Sequence, residues 1–212
     1  MTAPVKVEFH FDFGSPNAYL AEVALKGIEA RTGVTFEYVP VLLGGIFKAT
    51  GNQSPAESLR GIKNKPEYQR LETERFLRRH GITTFNSNPF FPVNTLMLMR
   101  GAVAAKFEGI FESYFRAAYH HMWEAPKKMD DVEVFRAAFK ASGIDIDMLI
   151  ARAQQDDVKQ KLIKDTNDAV ARGSFGSPTF FVGTEMFFGK GSLRDVEESI
   201  VAQISTLTTK RV

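Results

Sequence analysis

Hydrophobic and polar positions alternate strictly over Val5-Lys6-Val7-Glu8-Phe9-His10-Phe11-Asp12-Phe13. A period of two predicts a β-strand with one face buried. Gly14-Ser15-Pro16 interrupts the pattern, and Ala18-Tyr19-Leu20-Ala21 opens a helix that runs to about Ala30 and is closed by Gly33. Ser15 suits the N-cap, where its oxygen can accept from an unpaired amide, and Pro16 suits the first turn, where no N–H is needed. Alternation returns from Val34 to Val41 as a second strand. Two strands joined by one helix lie most easily parallel.

From about Gly44 the texture becomes helical. Candidate helices are Pro55–Gly61, Pro66–His80, Asn94–Phe107, Ile110–His121, Asp131–Ala141, Ile146–Ala153 and Asp156–Arg172, with Pro89-Phe90-Phe91-Pro92 as a rigid extended loop among them. Strands at Thr179–Val182 and Glu185–Phe188 follow, joined by Gly183-Thr184 as a two-residue hairpin, and a last helix runs from Leu193 to about Thr206. Neither end of the chain makes a complete sheet alone. Together, residues 1–44 and 174–212 form one α/β domain, β-α-β then β-β-α, carrying an all-α insertion at 45–173. That order is thioredoxin-like.

Composition narrows the picture. With 212 residues, 44% hydrophobic and 25% charged, the chain is long enough for a packed core and too apolar for disorder. Nineteen phenylalanines against one Trp and five Tyr predict a large apolar interior. There is no cysteine, which excludes disulfides, iron–sulfur clusters, thiolate zinc sites and a cysteine nucleophile. The net charge of +2 names no partner, and basic residues cluster only briefly, as in Arg78-Arg79-His80, so nucleic-acid binding is not expected. No apolar run approaches the roughly 18 residues of a membrane span. Met1–Lys6 lacks a charged-then-apolar leader, so the expected compartment is the cytoplasm. His10, His120 and His121 invite a metal reading, but adjacent histidines on a helix point apart and no third ligand is suitably spaced. They are expected at solvent or at an interface. Met97-Leu98-Met99 and the Phe111/Phe115 pair read as core, and Gly189-Lys190-Gly191 lacks phosphate-loop spacing.

In a thioredoxin-like layout the chemistry sits where the first strand meets the first helix, because unpaired N–H groups and the helix dipole favour an anion there. Redox members place Cys-x-x-Cys at this point; here it reads Ser15-Pro16-Asn17-Ala18. A hydroxyl cannot exchange disulfides, but it can donate a hydrogen bond to a ligand's anion. The second mark is the proline before the third strand, Ser177-Pro178-Thr179. Such a proline is cis, and the backbone of the residue before it pairs with a peptide-like ligand as an added strand. Plainer readings exist: Ser15 and Asn94 as simple N-caps, Pro178 as strand-edge punctuation, Lys48 and Asn52 as loop residues.

The stretch Phe11-Asp12-Phe13-Gly14-Ser15-Pro16-Asn17-Ala18-Tyr19-Leu20-Ala21 fits the pattern F-D-F-x-S-P-x-x-Y-L-A, and Lys48 to Asn52, Lys65-Pro66-Glu67-Tyr68, Asn94-Thr95-Leu96 and Phe175-Gly176-Ser177-Pro178-Thr179 add to it. With these motifs the sequence resembles the 2-hydroxychromene-2-carboxylate isomerases, kin of the kappa-class glutathione transferases and of bacterial disulfide oxidoreductases with a helical insertion. The resemblance implies a cis–trans isomerase of aromatic-hydrocarbon breakdown, naphthalene degradation included, with glutathione as cofactor and a small aromatic carboxylate as substrate. The borrowed thiolate would add to a conjugated double bond, let it rotate as a single bond, and leave again. By family position, Ser15 would be catalytic and hold the thiolate, while Ser177 and Pro178 would hold the cysteinyl backbone. Lys48, Asn52, Arg60, Lys65, Asn94 and Thr95 would face the substrate. The family commonly carries W-G-x-D-R after the fourth strand; here Phe188-Gly189-Lys190-Gly191-Ser192 puts Gly191 in the aspartate's place, leaving Lys190, Gly191 and Ser192 for the glutamyl end. The resemblance also implies a homodimer. Two other readings stay open: a kappa-like transferase conjugating electrophiles, and a non-catalytic glutathione- or peptide-binding module.

Overall fold

Four strands form one sheet in the order β2-β1-β3-β4, with β1 (Val7–Phe11) parallel to β2 (Glu37–Pro40) and antiparallel to β3 (Thr179–Val182), and β4 (Glu185–Phe188) antiparallel to β3. The computed structural model describes residues 5–59 and 61–209 of the chain. The helices are α1 (Pro16–Thr32), α2 (Leu43–Thr50), α3 (Pro55–Ser58), α4 (Lys65–His80), α5 (Leu96–Phe107) and α6 (Phe111–Tyr119). After them come α7 (Val132–Ala141), α8 (Ile146–Ala153), α9 (Asp156–Ala171) and α10 (Leu193–Thr209). A π-helical turn at His120–Glu124 continues α6, and a 3-10 turn at Lys190–Ser192 leads into α10. The thioredoxin-like α/β architecture with a helical insertion is the one expected from the alternation.

Two local expectations are corrected. The first strand is buried on both faces, not one. Phe9 and Phe11 face a core shared with Tyr38, Phe115 and Phe180. On the other face, Glu8 holds Lys6 at 2.7 Å, His10 at 2.7 Å and Arg172 at 2.5 Å, and the Arg172 guanidinium lies 3.5 Å from the Phe181 ring centroid. A polar face can thus be buried when its charges are paired. Burial works to raise the Glu8 carboxyl, but the hydrogen bonds from Lys6, His10 and Arg172 win and hold it at about 2. His10 and His121 are likewise interior rather than at solvent. His10 sits on Glu8, and His121 bonds Ser142 at 2.9 Å and Lys127 at 3.2 Å.

α2 was not among the expected helices. Gly44-Gly45 weakens helix propensity, and its N-cap Leu42 offers no side-chain cap. It is held instead from outside: Leu43 N–H donates to the Asp12 carboxylate at 2.8 Å, Leu42 N–H donates to Thr166 Oγ1 at 2.9 Å, and Ile46 packs with Val41 and Ala169.

Candidate functional site

The turn from β1 into α1 is fixed atom by atom. Asp12 is fully buried, and its carboxylate accepts from Gly14 N–H at 2.8 Å, Leu43 N–H at 2.8 Å and the Thr95 hydroxyl at 3.1 Å. One side chain thereby joins the starts of α1, α2 and α5. Burial pushes the Asp12 carboxyl up against the pull of these three donors. The Phe13 carbonyl accepts from Trp123 Nε1 at 2.8 Å, and Phe13 N–H donates to the Met99 sulfur at 3.4 Å. Gly14 is tightly packed: a Cβ there would lie 2.9 Å from Thr95 Cγ2.

Ser15 caps α1, its oxygen accepting from Ala18 N–H at 3.2 Å. The same hydroxyl donates to the Ser177 carbonyl at 2.9 Å, so the helix start meets the loop before β3. The Ser177–Pro178 peptide is cis. Ser177 also accepts, through Oγ, from Asp12 N–H at 3.1 Å. The plain N-cap role of Ser15 and its contact with Ser177 coexist; one hydroxyl does both. Gly189 N–H donates to the Pro178 carbonyl at 2.9 Å, which puts the 190–192 turn beside the cis bond.

The structure therefore brings Ser15, Ser177 and Pro178 together and sets Lys190, Gly191 and Ser192 next to them. Lys190 is committed elsewhere: its ammonium is buried and holds both Glu72 carboxylate oxygens at 2.7 and 2.6 Å. Ser192 donates both its hydroxyl (2.9 Å) and its N–H (3.2 Å) to the Gly189 carbonyl. Gly191 has open space where a Cβ would point. Asn52 reaches the same loop, donating from Nδ2 to the Phe175 carbonyl at 2.8 Å. Thr95 is buried, its hydroxyl spent on Asp12. Asn94 starts α5, accepting from Leu96 N–H at 3.0 Å, and lines a cavity along that helix. Lys48 and Lys65 are exposed, their side chains without a polar contact among the described residues, and Arg60 lies outside the described residues.

Sequence reasoning missed four members. Asp12 read as the polar side of a strand, yet it is the hub of the turn. Trp123 read as nothing in particular, yet the π-helical turn aims its indole N–H at the residue before Gly14. Phe85 and Phe91 flank that indole, with ring centroids 6.1 Å away in each case. These aromatics with Pro16, Asn17 and Leu20 line a cavity of about 570 Å³ against the start of α1. The signal for it was present in the Pro89–Pro92 loop, whose Phe91–Pro92 peptide is also cis.

Comparison with known proteins agrees with this geometry. The family described as DSBA-like thioredoxin domain matches residues 6–201. The chain is 28% identical to 2-hydroxychromene-2-carboxylate isomerase of Sphingobium xenophagum over 196 residues, 92% of this chain and 97% of that one. It is 26% identical over 200 residues to glutathione S-transferase kappa 1 of Caenorhabditis elegans, 87% of this chain and 85% of that one. A solved structure of a 2-hydroxychromene-2-carboxylate isomerase superposes with a TM-score of 0.79 at 24% identity, covering 97% of this chain and 98% of that one, a likeness of fold. The resemblance drawn from the motifs is borne out, and the similarity runs along nearly the whole chain. Among the described residues no helix is long and apolar enough to cross a membrane.

Proposed function

The chain belongs to the DSBA-like thioredoxin domain family, and from that premise we propose a glutathione-dependent cis–trans isomerase acting on 2-hydroxychromene-2-carboxylate or a similar aromatic carboxylate. The observation that carries this reading is the 2.9 Å bond from the Ser15 hydroxyl to the Ser177 carbonyl, which joins a helix N-terminus to a cis-proline loop. A tripeptide fits that loop. Ser177 N–H has no acceptor among the described residues, so an extended ligand backbone finds a free donor there. With no cysteine in the chain, the sulfur must come from the ligand.

Bound glutathione supplies a sulfur nucleophile able to add reversibly to a conjugated double bond. The rest falls to the chain's own groups. The Ser15 hydroxyl can turn from the Ser177 carbonyl toward an anion, where it acts beside the positive end of α1. Asp12 holds Gly14 and so fixes where that hydroxyl stands. Gly191 and Ser192 offer the 190–192 turn to the glutamyl end, and Lys48 and Asn52 are assigned to the substrate's carboxylate and carbonyl. The aromatic wall of Phe85, Phe91 and Trp123 in that cavity suits a flat ring.

The test mixes the protein with 2-hydroxychromene-2-carboxylate, with and without glutathione, and follows absorbance and product mass. The expected result is a glutathione-dependent spectral change with no gain in product mass. Ser15→Ala should slow it by about ten- to hundredfold, the worth of a charge-assisted hydrogen bond. The similarity to kappa-class transferases supports a second reading, and a glutathione adduct in the mass spectrum would favour it instead. No glutathione binding at millimolar concentration would sink both.

A further inference from the structure

α5 begins at the site, and just over one turn along it carries a cation that no carboxylate neutralises. Arg100 is half-buried, yet among the described residues its guanidinium forms no ion pair and no hydrogen bond. The other half-buried arginines among them behave differently. Arg116 holds Glu22 at 2.8 Å and Glu112 at 2.9 Å, and Arg152 holds Glu108 at 2.8 Å and Asp157 at 2.6 Å. Taking a guanidinium partly out of water without an acceptor is unfavourable, and this fold elsewhere avoids it.

What surrounds Arg100 is space. It lies between a cavity of about 560 Å³ and a second of about 200 Å³, both of which share Leu96 and Arg100 as walls. The larger one is apolar along Leu96, Met97, Val132 and Ile150, with the amides of Asn94 and Gln154 as its neutral polar groups. Its one acid, Asp130, is already engaged: it accepts from Asn94 N–H at 3.4 Å and lies 3.8 Å from Lys128. The volume is that of a small-molecule site, and a single planar cation set in apolar walls matches a planar anion on an apolar body. A phosphate ester would need several more donors than this cavity offers.

We propose that this cavity binds an amphipathic organic carboxylate, the carboxylate paired in bidentate fashion with the Arg100 guanidinium and the apolar body against Leu96, Met97, Val132 and Ile150. Asn94, at its rim, is one residue from Thr95, which abuts Gly14, so the ligand would sit beside the Ser15 turn. The inference needs no thiol and stands apart from the glutathione reading.

It is tested on the full chain without glutathione, by calorimetric titration of trans-cinnamate and of neutral cinnamyl alcohol. Cinnamate should bind the unaltered protein and bind Arg100→Met at least tenfold more weakly, with Arg100→Lys between them. The alcohol should bind all three alike and weakly. Equal cinnamate affinity in the unaltered protein and Arg100→Met, or no saturable binding at millimolar cinnamate, overturns the proposal. Should Arg100→Met fail to fold, the methyl resonances of Met97 and Ile150 in the unaltered protein decide. Cinnamate-induced shifts there support the site, and unmoved methyls overturn it.

Discussion

The turn at residues 12–15 and the flank at residues 43–80 border the same site, and they are built by opposite rules. In the turn, Asp12, Phe13 and Ser15 are buried, and the polar groups of the turn are matched to named partners. In the flank, α4 runs sixteen residues with Phe76 as its one buried residue, and Tyr68 and Leu71 are exposed. Lys48 and Lys65 stand free there. A buried hydrogen-bonded network has one arrangement and sets the position of Ser15, whereas exposed side chains can re-pair at little cost. Fixed geometry is concentrated in the first, and side chains free to re-pair are concentrated in the second.

The sharpest way to break that contrast is Asp12→Ala. It strands the Gly14 and Leu43 amides and the Thr95 hydroxyl in a buried setting, each worth about 1–3 kcal/mol. Releasing a buried carboxyl offsets part of the loss, so the expected cost is about 3 kcal/mol, read from denaturant midpoints at constant slope. Asp12→Asn should recover little, because its amide nitrogen must face one of the same N–H donors. Removing both Lys48 and Lys65 as alanines should cost less than about 0.5 kcal/mol. Similar losses in the two cases would show the turn and the flank to be equally tolerant.

Acid should reach the turn through Trp123. Burial, with Lys127 and His120 nearby, holds His121 down at about 4. Its unfolded value is near 6.5, so between these pH values the unfolded chain binds the extra proton. Stability is therefore fully present above pH 6.5 and lost as pH falls toward 4, by up to about 3 kcal/mol. Since His121 shares the π-helical turn with Trp123, the indole emission should shift over that window before global unfolding. His121→Gln should flatten the acid limb; an unchanged limb would put the loss elsewhere, for instance at Glu8.

A smaller effect isolates the packing of the turn. Gly14→Ala drives a methyl to 2.9 Å from Thr95 Cγ2, with an expected cost of about 1–3 kcal/mol. Thr95→Ser removes that methyl and keeps the hydroxyl for Asp12. Placed together, the two substitutions should cost clearly less than their sum, a coupling of about 1 kcal/mol. Strict additivity would mean that the glycine serves the backbone and not the contact.

These residues also show what a sequence can and cannot disclose. Ser15, Pro16 and Ser177-Pro178 were legible because each stands at a junction where backbone chemistry restricts the choice of residue, a helix N-cap or a strand start. The strands and most helices were legible from period alone. α2 was not, since tertiary contacts to Asp12 and Thr166 override two glycines. Asp12 was hidden because a strand's polar positions look alike whether they face water or three buried donors. Lys190 read as a ligand-binding cation, and only the fold brings Glu72, 118 positions away, to both of its carboxylate-facing hydrogens.

The mildest prediction concerns Gly191, which stands where the W-G-x-D-R pattern of the resembled family has its aspartate. Gly191 has nothing within 4 Å of where a Cβ would lie, so Gly191→Asp should fold with a stability change within about 0.5 kcal/mol. If the glutamyl end of glutathione lies there, the added carboxylate should meet its ammonium and tighten binding several-fold, about 1 kcal/mol for a partly exposed pair, and less so at high salt. Calorimetric titration at low and high salt reads both. Unchanged affinity at either salt would move the glutamyl end away from Gly191 while leaving the proposed role of Ser15 and Ser177 untouched, because those two are joined through a separate set of hydrogen bonds.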